Sequence, residues 1–174
     1  MAWLLPTRPH RALQIRRATT NDIAQIARVY VDSWRETYAD LLPRSYLDGL
    51  SYATFEQHWR RTFMTRGWAF VAEVQSNIVG LASGGRSRQP DLAAGELYVL
   101  YVLRAHQRQG IGRALFDACH YELAKRGHGS MLVWVMAANP ARGFYEHVGG
   151  ELASENELEI AGTKVREVAY VWPE

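Results

Sequence analysis

The stretch that decides the fold is Leu97-Tyr98-Val99-Leu100-Tyr101-Val102, followed after four residues by Gln107-Arg108-Gln109-Gly110-Ile111-Gly112. The first six residues are apolar, β-branched or aromatic, and Glu96 to Val102 reads as a strand. A glycine-bearing turn then opens a helix from Gly110 to Arg126, ended by Gly127 and Gly129. Its inner stripe is Ile111, Leu115, Ala118 and Glu122, broadened by Ala114 and Cys119. The amides of such a first turn have no helical partner, and the helix dipole adds positive potential there. A strand, a glycine turn and a helix in that order make a site for a phosphate or pyrophosphate. Gly110 and Gly112 let the anion approach the backbone, and Arg108 and Arg113 stand at its rim.

Three readings compete for this turn. A Walker A loop needs Lys-Ser/Thr after its last glycine, and Arg113-Ala114 stands there instead. A dinucleotide fingerprint needs a small residue at position 115, which is leucine, and a place early in the chain. An ordinary tight turn remains open on the glycines alone.

Working outward, Leu13 to Arg17 alternates as a short strand, and Thr20 or Asn21 caps a helix carrying Ile23, Ile26, Ala27, Tyr30 and Trp34. Pro43 starts a second helical stretch, and Phe55, Trp59 and Phe63 mark a third face. Ala69 to Val74 and Ile78 to Ser83 read as strands around the turn Gln75-Ser76-Asn77. Met131 to Met136 is a dense apolar strand, buried on both faces if parallel. Pro140 to Val148 is a short helix, and Glu157 to Ile160 with Lys164 to Trp172 form a closing hairpin. The order is β-α-α-β-β-β-α-β-α-β-β, a mixed α/β sheet. Residues 13–174 read as one domain and residues 1–12 as a loose N-terminal arm, whose apolar piece is too short for a signal core or a membrane span.

Composition narrows the partners. A formal net charge of +2, with charges spread along the chain, offers no basic stripe for nucleic acid and no polybasic membrane patch. One cysteine, Cys119, excludes an internal disulfide and fits a cytoplasmic setting; inside a helix it reads as a small hydrophobe. No Cys or His pair has metal-ligand spacing.

The string Val102-x-x-x-x-Gln107-x-x-Gly110-x-Gly112 resembles the acetyl-CoA motif of the GNAT (GCN5-related N-acetyltransferase) family. A second string, Asn139-Pro140-Ala141-Arg142-Gly143-Phe144-Tyr145, resembles that family's later signature. The resemblance spans about Ile15 to Trp172 in element order. Arg104 departs from a common proline, and Gly150 from a common phenylalanine, which thins the apolar cover there.

The resemblance implies a GNAT-like, mostly antiparallel central sheet flanked by helices, with acetyl-CoA as cosubstrate, an amine as acceptor, and a homodimer as a common assembly. It implies that Gln107, Arg108, Gln109, Gly110, Ile111, Gly112 and Arg113 hold the CoA pyrophosphate. It implies further that the central strand splays at a bulge over Leu100, Tyr101 and Val102, where the backbone pairs with pantetheine. The Val102 amide then stabilises the oxyanion, and Tyr145 protonates the thiolate, a phenol of pKa ~10 donating to a thiol of pKa ~8.5. Glu96 is the candidate base, acting through water, or else a solvated strand-end charge. Asn139 either bonds the pantetheine arm or caps the following helix. Trp34, Tyr38 and Tyr98 line the acceptor pocket or belong to the core. Arg86 and Arg88 meet an acidic group or only solvent. A non-catalytic acyl-CoA-binding module is the alternative to an enzyme.

Overall fold

The computed structural model describes residues 13–65 and 67–174, so the arm read over residues 1–12 lies outside the described residues. Seven strands form one sheet: β1 (Leu13–Arg17), β2 (Ala69–Val74), β3 (Asn77–Arg86), β4 (Gly95–Val102), β5 (Met131–Met136), β6 (Glu151–Ile160) and β7 (Thr163–Trp172). Their spatial order is β1-β2-β3-β4-β5-β7-β6. Every neighbour is antiparallel except β4 and β5, which run parallel. The mixed, mostly antiparallel architecture is the expected one. β5 is buried along almost its whole length, as expected of a strand with a parallel neighbour, but most of its pairing is antiparallel with β7 along Met131–Met136, with β4 alongside only at Gly95–Met131 and Glu96–Leu132.

The first crossover carries three helices rather than two: α1 (Ile23–Thr37), α2 (Arg44–Asp48) and α3 (Tyr52–Met64). The N-terminal cap is Thr19, not Thr20 or Asn21. Thr19 donates its backbone N–H and its hydroxyl to the Asp22 carboxylate at 2.7 and 3.0 Å, a reciprocal lock that tightens the entry into a single 3-10 turn. Arg16 on β1 reaches the same carboxylate and Glu73 on β2, which fixes α1 against the sheet edge.

The two faces of the sheet are covered differently. On one, α1 and α3 pack Ile23, Ile26, Val29 and Trp59 on Val71, Ile78 and Leu81. On the other, α4 (Ile111–Lys125) and α5 (Arg142–His147) sit over Ala82, Leu97, Val133 and Tyr170. The buried stripe of α4 is Ile111, Leu115, Phe116, Cys119, Glu122 and Leu123; Ala118 is only half-buried. The helix turns its face further round than the periodicity suggested, because Phe116 packs edge-on against Phe144 and tilted against Trp172. Each such fully buried side chain contributes about 1.5–3 kcal/mol. The apolar cover at Gly150 is not thinned. A Cβ there would lie 2.7 Å from the Trp172 indole, so the tryptophan from β7 fills that space.

Candidate active site

The site begins with a gap in the sheet. Past Glu96, β4 and β5 diverge. On the other side β4 stays paired with β3, and the Leu103 amide donates to the Val79 carbonyl at 2.9 Å. Ladder bonds alternate along a strand. The amides of Tyr101 and Val99 therefore face β3, while those of Leu100 and Val102 face the gap. An extended acyl chain of alternating amides can pair with them there. The bulge itself lies elsewhere than expected: the register shifts between Leu97 and Val99, at Tyr98, not at Leu100–Val102.

At the end of β4 the Gln107 side chain donates to the Val102 carbonyl at 2.9 Å, and Gln109 reaches the Ala105 carbonyl at 3.3 Å. Their side chains brace the loop, so what they offer an anion is backbone. Gly110 has φ 80°, which aims the following amides outward, and a Cβ there would meet nothing within 4 Å. The Ile111 side chain is in the core, leaving its amide for the first turn of α4. Arg108 is exposed with φ 59°. Arg113 turns back to Asp117 at 2.8 and 2.9 Å, so its charge is already paired along the helix. An open, positively polarised first helical turn in line with free strand amides fits a pyrophosphate followed by an amide-bearing arm. What these segments offer such a ligand is the backbone of Gly110 to Arg113 and of Leu100 to Val102.

Tyr145 is buried on α5. Tyr170 on β7 holds that helix, accepting from Arg142 Nε at 3.0 Å and donating to Glu146 at 2.6 Å. Burial, then the neighbouring Tyr38 hydroxyl, pushes the Tyr145 phenol above its ordinary range. Such a phenol stays protonated through neutral pH and so holds a proton to give, although as a weaker acid than a free phenol.

Tyr145 is one of several phenols gathered here. Asn139 Nδ2 donates to the Tyr38 hydroxyl at 3.2 Å, and Asn139 Oδ1 accepts the Ala141 amide at 2.8 Å. Asn139 thus shapes the turn into α5 and ties α5 to α1 at once; the helix proper starts two residues beyond Pro140, at Arg142. Burial raises the Tyr38 pKa, opposed by Asn139 and Tyr101. Tyr101 is pushed well up by burial and by the nearby Tyr38, Tyr30 and Tyr145 hydroxyls. Burial takes Tyr30 up to about 12. Sequence reading named Tyr101 for its backbone and Tyr30 for its helix face. Nothing in the linear pattern showed that both approach Tyr38, or that Tyr101 lies near Tyr145.

Of the proposed aromatic wall, Trp34 and Tyr38 meet at 4.9 Å between centroids, with Tyr46 6.4 Å from Trp34. Tyr98 does not join them. Its side chain lies under the Arg88 guanidinium, 5.5 Å from ring centroid to cation, and its hydroxyl donates to the Arg86 carbonyl. The side chains alternate along β4, and the bulge turns Tyr98 toward the loop after β3.

Glu96 is neither solvated nor a free carboxylate. It is 1% exposed, and Arg88 supplies both its backbone amide, at 3.0 Å, and its guanidinium fork. Arg88 is accordingly both an exposed loop residue, its side chain 70% exposed, and the ion-pair partner of Glu96. Burying a carboxylate is tolerable only with such a partner. Among the described residues, no three His, Cys, Asp or Glu side chains gather in a metal-holding group, and no helix is long and apolar enough to cross a membrane.

The profile of the acetyltransferase (GNAT) domain matches residues 65–149, the segment that carries the gap, the turn and Tyr145. The chain is 40% identical, over 92% of each length, to an uncharacterised N-acetyltransferase, YuaI, of Bacillus subtilis. It belongs to the GNAT acetyltransferase family. A ribosomal-protein-alanine N-acetyltransferase from Brucella melitensis has the same fold, with a TM-score of 0.75 at 22% identity, covering 92% of this chain and 99% of its own. So has the PaiA N-acetyltransferase of Thermoplasma acidophilum, solved with coenzyme A: TM-score 0.70, 18% identity, covering 90% and 98%.

Proposed function

We propose that the protein transfers an acetyl group from acetyl-CoA to a primary amine by direct attack, through a tetrahedral intermediate. The observation that carries this reading is the pairing of unpartnered β4 amides in the gap with a protonated, buried Tyr145 beside it. The relative YuaI, similar over nearly the whole chain, and a fold shared with a CoA complex support it.

In this reading the first turn of α4 binds the pyrophosphate, and Leu100 to Val102 align the pantetheine arm. The amine nitrogen bonds to the thioester carbon, and the Val102 amide stabilises the oxyanion that forms. The C–S bond then breaks, and Tyr145 gives its proton to the sulfur, regaining one from solvent. The proton released by nitrogen goes to water, because Arg88 occupies both Glu96 oxygens. Glu96 takes it through water only when Arg88 lets go.

The test is a thermal shift followed by turnover. Acetyl-CoA should raise Tm in proportion to the logarithm of its concentration over Kd, and ATP and NAD should do so far less. No shift with acetyl-CoA removes the reading. A shift without thiol release from any amine of a broad panel would favour a non-catalytic acyl-CoA-binding module instead.

A further inference from the structure

Acetyl transfer from a thioester to a neutral amine is balanced in protons. The nitrogen loses one on becoming an amide, and the sulfur gains one on becoming a thiol. Tyr145 gives a proton to the sulfur and needs one back, and the water beside the nitrogen holds one to return. A chain of hydroxyls between the two positions can close the circuit.

The buried phenols supply such a chain. Tyr30, Trp34 and Tyr38 stand four residues apart on α1 and share one face of it. Tyr30 meets Tyr101 of β4 edge-on at 5.2 Å between centroids, and Trp34 meets Tyr38 at 4.9 Å. Tyr101 lies between Leu100 and Val102 in sequence, the residues whose amides face the gap. A charge on Tyr38 would raise the pKa of both Tyr101 and Tyr145, which sets Tyr38 near each of them. The carboxylates on the surrounding elements are engaged elsewhere: Glu96 with Arg88, Glu36 with the Arg104 amide and Glu146 with Tyr170.

Asn139 gives this chain a direction. Its Oδ1 accepts the Ala141 amide at 2.8 Å, so the Nδ2 that faces Tyr38 at 3.2 Å is fixed as a donor. An amide nitrogen does not accept, so the Tyr38 proton points away from Asn139. Tyr101 approaches the same Tyr38 oxygen and, like Asn139, opposes the rise in its pKa, as a donor does. Tyr38 is thus placed to receive from Tyr101 and to give onward.

We propose that Tyr101 and Tyr38 carry the proton lost by the amine back to Tyr145. As the N–C bond forms, water takes the nitrogen's proton and passes it to the Tyr101 oxygen. The Tyr101 proton moves to Tyr38, and the Tyr38 proton to Tyr145. The Tyr145 proton goes to the sulfur as the C–S bond breaks. The solvent that refills Tyr145 is then that same water. Each phenol ends with one proton, and no phenolate forms where burial would penalise it. Tyr38 touches neither reactant and acts as a positioning residue. This inference rests on the acetyl-transfer reading and deepens it.

The experiment follows single-turnover thiol release from the full chain with acetyl-CoA and the fastest amine of the panel, in mixtures of H2O and D2O. In the parent, the rate should bow below a straight line as the D2O fraction rises, because several protons move in one step. Tyr38→Phe and Tyr101→Phe should each lower the rate by about tenfold or more and straighten the line. Both should keep the Tm shift with acetyl-CoA. Tyr30→Phe, a phenol of the same group that the chain does not use, should stay within about twofold of the parent and keep the bow. A straight line in the parent overturns the proposal, as does a parent-like rate in Tyr38→Phe. So does a loss of rate in Tyr38→Phe with the bow intact, or an equal loss in Tyr30→Phe, since either marks a structural disturbance. Absence of thiol release from every amine overturns the acetyl-transfer reading as well. Release by the parent with any of the preceding failures overturns this inference alone.

Discussion

Asn139 and Tyr38 lie 101 residues apart and meet at 3.2 Å, the amide of one donating to the hydroxyl of the other. The bond closes α5 onto α1 across the gap between β4 and β5. Asn139→Ala should strand a buried hydroxyl and free the turn at Ala141, lowering stability by about 1–3 kcal/mol in urea unfolding. Tyr38→Phe removes the same bond, so the double variant should be less destabilised than the sum of the two. Strict additivity would mean that the bond contributes nothing.

Tyr145→Phe keeps the ring packed at 5.3 Å from Phe144 and removes only the proton donor. Turnover should fall by about 10²-fold or more, with acetyl-CoA binding within about twofold of the parent. Because burial raises the phenol's pKa, it remains protonated through neutral pH. The parent's kcat should therefore show no falling limb from this group below about pH 10, the ordinary tyrosine value.

Gly110→Ala places a side chain where φ is 80°. The strain in the free protein should be about 1 kcal/mol, since the added Cβ meets no neighbour within 4 Å. Acetyl-CoA affinity, measured by calorimetry, should drop by more than that strain explains, because the methyl group stands in the path of the pyrophosphate.

Arg88→Ala leaves the Glu96 carboxylate buried without its fork. Stability should fall by about 1–3 kcal/mol, the cost of leaving a buried charged acceptor without one of its donors, discounted because Arg88 faces solvent. Glu96→Gln in the Arg88→Ala background should recover much of it. Glu96→Gln alone should lower kcat by less than tenfold; a loss beyond a hundredfold would put the base back on Glu96.

The Arg16 guanidinium holds the Asp22 carboxyl at about 2, down from its ordinary 3.8. A depressed folded pKa gives stability that is complete above the unfolded value and lost as pH falls through the folded one. About 2 kcal/mol should therefore disappear between pH 5 and pH 2. In Asp22→Asn that portion of the acid dependence should be absent from a Tm-versus-pH series.

Local patterns were legible wherever a single residue's neighbours in sequence decided its state. The strands Ala69–Val74 and Met131–Met136 have the ends their apolar runs suggest, and the αL turn at Gly110 follows from glycine's freedom. Cys119 is fully buried, as a lone cysteine on an apolar helix face should be. Phe116 and Leu123 were missed because the inner face of α4 is set by where Phe144 and Trp172 arrive, not by the helix's own period.

The sequence by itself determined the order of the seven strands, the glycine turn after the central strand and the presence of a tyrosine on the short helix after β5. Those features depend on backbone propensity and on spacing within a few residues, so they can be read along the chain. Only the tertiary structure decided that β4 and β5 part after Glu96, that Arg88 claims Glu96, that Tyr98 leaves the aromatic wall and that Asn139 joins Tyr38. Each of these is a contact or a parting between segments distant in sequence. Burial makes such pairings strong because an unpaired charge or hydroxyl is costly away from water. Which partner answers is a matter of three-dimensional proximity, and no linear pattern encodes it.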